Sequence, residues 1–130
     1  MRILLVEDND MNSGFVVAVF EPEGHEITLA KTGPDGLAAG LREAFDLILL
    51  DIEVPGLKGD AICRQLHDAG VRTPMVALTA SAMPDQIAIF QAAGFDEVIT
   101  KPVEPEILRA MALRYDPSSP EVSSAAPPVA

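Results

Sequence analysis

The residues best suited to chemistry stand at the ends of apolar runs. Ile3-Leu4-Leu5-Val6 runs into Glu7-Asp8, Leu47-Ile48-Leu49-Leu50 into Asp51, Pro74-Met75-Val76-Ala77-Leu78 into Thr79, and Glu97-Val98-Ile99-Thr100 into Lys101-Pro102. A short apolar run bounded by turn formers reads as a strand buried on both faces, and Ile52-Glu53-Val54-Pro55-Gly56 supplies that turn after Asp51. A carboxylate in that place is anchored by a rigid element and faces a loop. Carboxylates brought together repel, and their pKa values rise unless a cation sits among them. Magnesium suits such a set, because it prefers oxygen ligands, keeps several waters and is usually held by one or two carboxylates plus a phosphate. Asp8 and Asp51 could ligate it directly, with Glu7 acting through a bound water. Lys101 is a point charge able to pair with a carboxylate or a phosphoryl oxygen, and Thr79 offers a hydroxyl donor. An Asp beside a metal and a lysine is a competent phosphoryl acceptor, because both cations stabilise charge on the transferring group.

Each piece has a plain alternative: a solvated turn for Glu7-Asp8, a turn N-cap for Asp51, a strand end for Thr79, a surface loop for Lys101-Pro102. The elements between them argue for a single site. After Asn9-Asp10, an N-cap signal, residues from about 11 to 20 carry Phe15, Val16, Val19 and Phe20 at helical spacing, and Pro22 and Gly24 stop the helix. His25 to Leu29 alternates like an edge strand. Gly33-Pro34 opens a second helix, with Leu37, Ala38 and Leu41 as its expected stripe. A third helix runs from Lys58 or Gly59 to His67 with Ile62, Cys63 and Leu66 inward. Met83-Pro84 opens a fourth with Ile87, Phe90 and Ala93, stopped by Gly94. The last helix, from about Pro105 to Tyr115, turns Ile107, Leu108, Met111 and Ala112 inward. Strand and helix thus alternate five times, which predicts parallel, right-handed βαβ units. The fully apolar first, third and fourth strands must be central, which predicts a doubly wound, flavodoxin-like sheet of order 2-1-3-4-5. Its switch point lies beyond the carboxyl ends of strands one and three, where Glu7, Asp8, Asp51, Thr79 and Lys101 would meet.

The chain has 130 residues, one domain's worth, with 48% hydrophobic residues and a net charge of −11. That charge argues against nucleic acid and anionic lipid as partners. Cys63 has no second cysteine for a disulfide and only two histidines for company, so it reads as packing. No stretch reaches the ~18 apolar residues of a membrane span, and no secretory signal opens the chain; a cytoplasmic location is expected. Residues 1–115 read as one domain, and the Pro/Ser/Ala-rich residues 116–130 as a disordered tail or linker stub.

Residues 2 to about 115 resemble the receiver domain of two-component response regulators. The likeness is carried by Val6-Glu7-Asp8-Asn9, by Asp46 through Asp51 with Pro55 and Gly59, by Leu78-Thr79-Ala80, and by Thr100-Lys101-Pro102. The resemblance implies that Asp51 takes a phosphoryl group from the phosphohistidine of a histidine kinase or phosphotransfer protein. It implies Mg²⁺ bound by Asp8, Asp51 and the backbone carbonyl of Glu53, with Glu7 helping through water. Thr79 and Lys101 would hold the phosphoryl group, and the Lys101–Pro102 peptide would be cis. The chain would then be a phosphoacceptor rather than an enzyme, catalysing only its own phosphorylation and dephosphorylation.

Two departures stand out. Val98 occupies the position where many relatives carry a Tyr or Phe, which puts the family's aromatic switch in doubt, and Val54 replaces a usual Met. Glu53 and Ser81 resemble tuners of phosphoryl lifetime. With no output domain in the sequence, the resemblance points to a stand-alone receiver. Its partner face would be the 80–84 loop, the fourth helix, the fifth strand and the last helix, with Met83, Phe90 and Phe95 as candidate apolar contacts, Phe90 and Phe95 reading at least as readily as core. The alternatives are an N-terminal receiver fragment of a larger regulator, or a phosphatase of the haloacid dehalogenase type. The latter would need a second Asp where Glu53 stands.

Overall fold

The computed structural model describes residues 1–117; the expected tail from residue 118 on lies outside the described residues. Five parallel strands, β1 (Arg2–Val6), β2 (Glu26–Ala30), β3 (Leu47–Asp51), β4 (Met75–Thr79) and β5 (Glu97–Thr100), form one sheet of order β2-β1-β3-β4-β5. Helices α1 (Asp10–Phe20), α2 (Gly33–Arg42), α3 (Gly59–Asp68), α4 (Pro84–Ala93) and α5 (Pro105–Tyr115) connect and follow the strands. The doubly wound arrangement read from the sequence is the one observed. A 3₁₀ turn at Glu21–Glu23 ends in the left-handed Gly24 and closes α1.

Every residue of β3 and β4 is buried. Successive side chains point to opposite faces. Leu4, Val6, Ile48, Leu50, Met75 and Ala77 therefore form one core layer with α2, α3 and α4, while Ile3, Leu5, Leu47, Leu49, Val76 and Leu78 form the other with α1 and α5. The helices α3 and α5 seat Ile62, Cys63, Leu66, Leu108, Met111 and Ala112 as their spacing predicts. Burial pushes the Cys63 thiol up to about 12, which leaves it an inert packing residue.

Two expectations need correcting. The buried face of α2 is Gly33, Gly36, Ala39 and Gly40; of the expected stripe, Leu37 packs half-buried against the core, whereas Ala38 and Leu41 are exposed. A Cβ on Gly36 would lie 2.6 Å from Val6 Cγ2 and one on Gly40 2.9 Å from Leu66 Cδ2. The helix lies so close to the sheet that only small residues fit beneath it, which leaves Leu37 at the flank and turns Leu41 outward. Phe15 and Ile107 are also exposed, at the rims of their helices. Phe90 and Phe95 belong to the core and pack edge-to-face with ring centroids 6.2 Å apart, so Met83 and Ile89 are what α4 presents to solvent.

Candidate functional site

Sheet register places the site. Val6 pairs with Leu50, so Glu7, one residue on, is level with Asp51. Asp51 pairs with Leu78 and Thr79 with Thr100, which brings Lys101 to the same rim. Glu7 has the alternation of Ile3 and Leu5, Asp51 that of Leu47 and Leu49, and Lys101 that of Ile99, all members of the layer against α1 and α5. The three side chains therefore meet on one face.

Carboxylate oxygens of Glu7, Asp8 and Asp51 lie within 4.8 Å of one another. Glu7 is only 2% exposed and Asp51 4%, whereas Asp8 faces solvent. Lys101 Nζ lies 3.1 Å from Glu7 Oε1 and 3.1 Å from Asp51 Oδ2. Asp51 Oδ1 accepts the Glu53 N–H at 3.2 Å, and Glu7 Oε2 accepts the Asn9 N–H at 3.3 Å. Asn9 also caps α1 through its side chain, which accepts the Asn12 N–H at 3.0 Å. The turn after Val6 is thus tied down from both sides, which fixes Asp8 between them.

The electrostatics follow from burial. Glu7 is held above the usual carboxylate range, first by burial and then by its hydrogen bond to Asp51 and that group's charge; Lys101 opposes this and loses. For Lys101, burial works to lower the pKa, but its bonds to Glu7 and Asp51 and their charges together outweigh it and raise the value. The site therefore holds more negative charge than its one lysine neutralises. An all-oxygen donor set with a surplus of negative charge fits a hard divalent cation, and the cluster is one that could hold a metal ion.

Thr79 is at the rim but engaged elsewhere. Its hydroxyl donates to the Ser81 carbonyl at 2.9 Å and accepts the Ser81 N–H at 3.2 Å. Glu53 is exposed on the loop after Asp51, and Gly59 abuts Asp51 closely enough that a Cβ there would lie 2.7 Å from the Asp51 carbonyl oxygen. The Lys101–Pro102 peptide is cis. Sequence reasoning missed a groove of about 410 Å³ beside Lys101, between α1 and the chain leading into α5, with Met11, Phe15 and Val103 in its walls. Met11 is 85% exposed; an apolar residue at a helix's first turn that faces away from the core was its only signal. Among the described residues no helix is long and apolar enough to cross a membrane.

Comparison with known proteins agrees with this geometry. Residues 3–113 match the family model for the response regulator receiver domain. The chain is 38% identical over 113 residues to the sensor histidine kinase AruS of Pseudomonas aeruginosa, covering 84% of this chain and 11% of the kinase. It is 36% identical over 120 residues to the transcriptional regulatory protein DltR of Streptococcus agalactiae, covering 92% of this chain and 54% of the regulator. The chain thus spans only part of the length of these relatives. Among solved structures, the receiver domain of sensor histidine kinase PA1611 from Pseudomonas aeruginosa, which has a magnesium ion coordinated in its active-site cleft, superposes with a TM-score of 0.80 at 31% identity, covering 88% of this chain and 95% of that one. The Vibrio cholerae chemotaxis protein CheY4 superposes with a TM-score of 0.82 at 25% identity, covering 88% of this chain and 97% of that one.

Proposed function

Because the chain belongs to the response regulator receiver domain family, we propose that it is a phosphoacceptor in which Asp51 takes a phosphoryl group from a phosphohistidine. The observation that carries this is the pairing of one lysine, 3.1 Å from each, with two nearly buried carboxylates. In the transfer, an Asp51 carboxylate oxygen bonds to phosphorus as the phosphorus–nitrogen bond breaks. The imidazole leaves with the electron pair and takes up a proton.

Asp8, Asp51 and the Glu53 carbonyl would hold Mg²⁺, with Glu7 reaching it through water; the acidic cluster supports this, as does a receiver-domain relative with magnesium in its active-site cleft. The ion's contribution when bound is to offset negative charge on the transferring group and the carboxylates around it. This chain's own residues do the rest. The Glu53 N–H orients the acceptor carboxylate through Oδ1, and Lys101 exchanges its Asp51 oxygen for a phosphoryl oxygen. Thr79 leaves Ser81 to donate to another. Transfer in this scheme is stoichiometric, one group per chain, and not turnover of a substrate.

The donor would be a histidine kinase or phosphotransfer protein docked over the groove lined by Met11 and Phe15, which opens beside Lys101. A signalling partner would read the phosphorylated state through the 80–84 loop, α4, β5 and α5, where Met83 and Ile89 are exposed. We take residues 1–115 as the receiver unit, acting in the cytoplasm. The test is intact mass after incubation with acetyl phosphate. Wild type should gain one phosphoryl group only when Mg²⁺ is present, and Asp51→Asn should gain none while keeping its fold. A magnesium-dependent gain of one phosphoryl group by the Asn variant, equal to that of wild type, would refute the assignment of Asp51.

A further inference from the structure

We infer that Gly33, at the start of α2, is a positioning residue for the acceptor carboxylate, acting through the 52–58 loop; this rests on the reading of Asp51 as the acceptor. The Gly33 N–H donates to the Pro55 carbonyl at 2.8 Å. A Cβ on Gly33 would overlap the Leu57 carbonyl oxygen and lie 2.6 Å from Leu57 Cβ. One residue along, the Pro34 ring sits over Gly56, where a Cβ would lie 2.8 Å from Pro34 Cδ. Gly56 itself has φ +88°, a conformation that costs glycine little. Helix and loop therefore meet backbone to backbone, with no flexible side chain between them to absorb a displacement.

The loop in turn is tied to the acceptor at its start and closed on itself at its end. Its Glu53 N–H donates to Asp51 Oδ1, and the Gly59 N–H donates to the Ile52 carbonyl at 3.1 Å. Ile52 and Val54 are buried, 5% and 4% exposed, so the loop cannot slide along its own axis without unpacking them. A side chain at position 33 must push the loop away from α2. Among the described residues, the polar contact by which the loop orients Asp51 is the Glu53 amide, and at 3.2 Å it has little length to spare before the bond is lost. A misplacement of about 1 Å at a reacting group can cost on the order of 100-fold in rate.

The experiment compares Gly33→Ala and Pro34→Ala with wild type and with Gly14→Ala, a control at a glycine where a Cβ meets nothing within 4 Å. Two quantities are read: the initial rate of phosphorylation by acetyl phosphate in Mg²⁺, per folded molecule, and the Glu53 amide resonance in a ¹⁵N-correlated NMR spectrum. Gly33→Ala should lose about 10- to 100-fold in rate and shift the Glu53 resonance; Gly14→Ala should change neither. Should Gly33→Ala not fold, Pro34→Ala decides, with a several-fold rate loss and a smaller shift expected. A folded Gly33→Ala, or Pro34→Ala in its stead, with wild-type rate and an unmoved Glu53 resonance would overturn the inference. A wild type that takes no phosphoryl group would instead overturn the acceptor reading and with it the role of Gly33, whatever the resonance shows.

Discussion

Replacing Lys101 with Met keeps the side chain's length and apolar stem but removes the cation that serves both Glu7 and Asp51. Each contact is 3.1 Å long, and the two carboxylate side chains are 2% and 6% exposed. At an effective dielectric constant of ~20, a pair at this range is worth about 5 kcal/mol before desolvation. Removing one partner of a buried pair typically costs 3–5 kcal/mol, mostly because the other charge is stranded. The Lys101 side chain is 23% exposed, and Glu7 can relieve part of the strain by taking up a proton, so the lower end applies. We expect a loss of about 3 kcal/mol at pH 7 in EDTA, read as a fall in melting temperature of roughly 10 °C for a domain of this size. Glu7→Gln in the same background should restore a large part of it by removing one stranded charge. Mg²⁺ should stabilise the Met variant more than wild type, because no lysine then competes for the carboxylates. The assay is thermal and urea unfolding followed by circular dichroism on all three proteins, with EDTA and with Mg²⁺. A loss below about 1 kcal/mol in EDTA, or equal magnesium increments in wild type and variant, would refute the claim that Lys101 holds the carboxylates together.

The remaining predictions concern surfaces away from the carboxylates. Met11→Ala/Phe15→Ala should slow phosphotransfer from a protein donor by about tenfold or more, since exposed apolar anchors carry much of an interface's energy; the rate with acetyl phosphate should not change, and comparing the two donors checks it. The Tyr115 hydroxyl donates to Glu97 Oε1 at 2.9 Å, and its pKa is pushed up to about 12 by burial and by that carboxylate. A folded pKa above the unfolded ~10 gives stability that is fully present below pH 10 and lost as pH rises toward 12. Tyr115→Phe should therefore flatten that limb by roughly 1–2 kcal/mol in urea unfolding at pH 9, 10.5 and 12, and identical slopes in both proteins would count against it.

Much of this was legible in the sequence because the site is built from strand ends. Leu47 to Leu50 admits one reading, and the alternation that buries it also fixes which face Asp51 shares with Glu7 and Lys101. What escaped depends on close approach and on loops. Only Leu37 of the expected α2 stripe reaches the core, and only in part, because a helix packed through Gly36, Ala39 and Gly40 leaves Leu41 to solvent, a departure from the usual amphipathic pattern. Gly33 and Pro34 looked like an ordinary helix start, and nothing local in Pro55-Gly56-Leu57 says that these residues meet them. The capture of Thr79 by Ser81 was invisible for another reason: a hydroxyl rotor chooses its partner from the loop's path, and motif spacing carries no trace of that path.

The position of Thr79 also shows how a charge change at Asp51 would reach the proposed partner face. Phosphorylation replaces a single negative charge with one of about −1.5 to −2 on exposed oxygens. The two bonds Thr79 makes with Ser81 are neutral ones, each worth about 1 kcal/mol net, whereas a bond to a charged phosphoryl oxygen is worth about 1.5–3 kcal/mol. The hydroxyl is donor in only one of the present pair, so redirecting it forfeits the Ser81 carbonyl and weakens the other bond, and the exchange comes out nearly balanced. A near balance is what a switch requires, because a strongly favoured resting bond could not be broken by a single phosphoryl group. Ser81 lies near the start of the segment that leads into α4, and freeing it would untie the 80–84 loop two residues before the exposed Met83. Val98 on β5 is only partly buried; under the proposed function, the Thr79–Ser81 pair would be the contact at this rim that couples Asp51 to that surface.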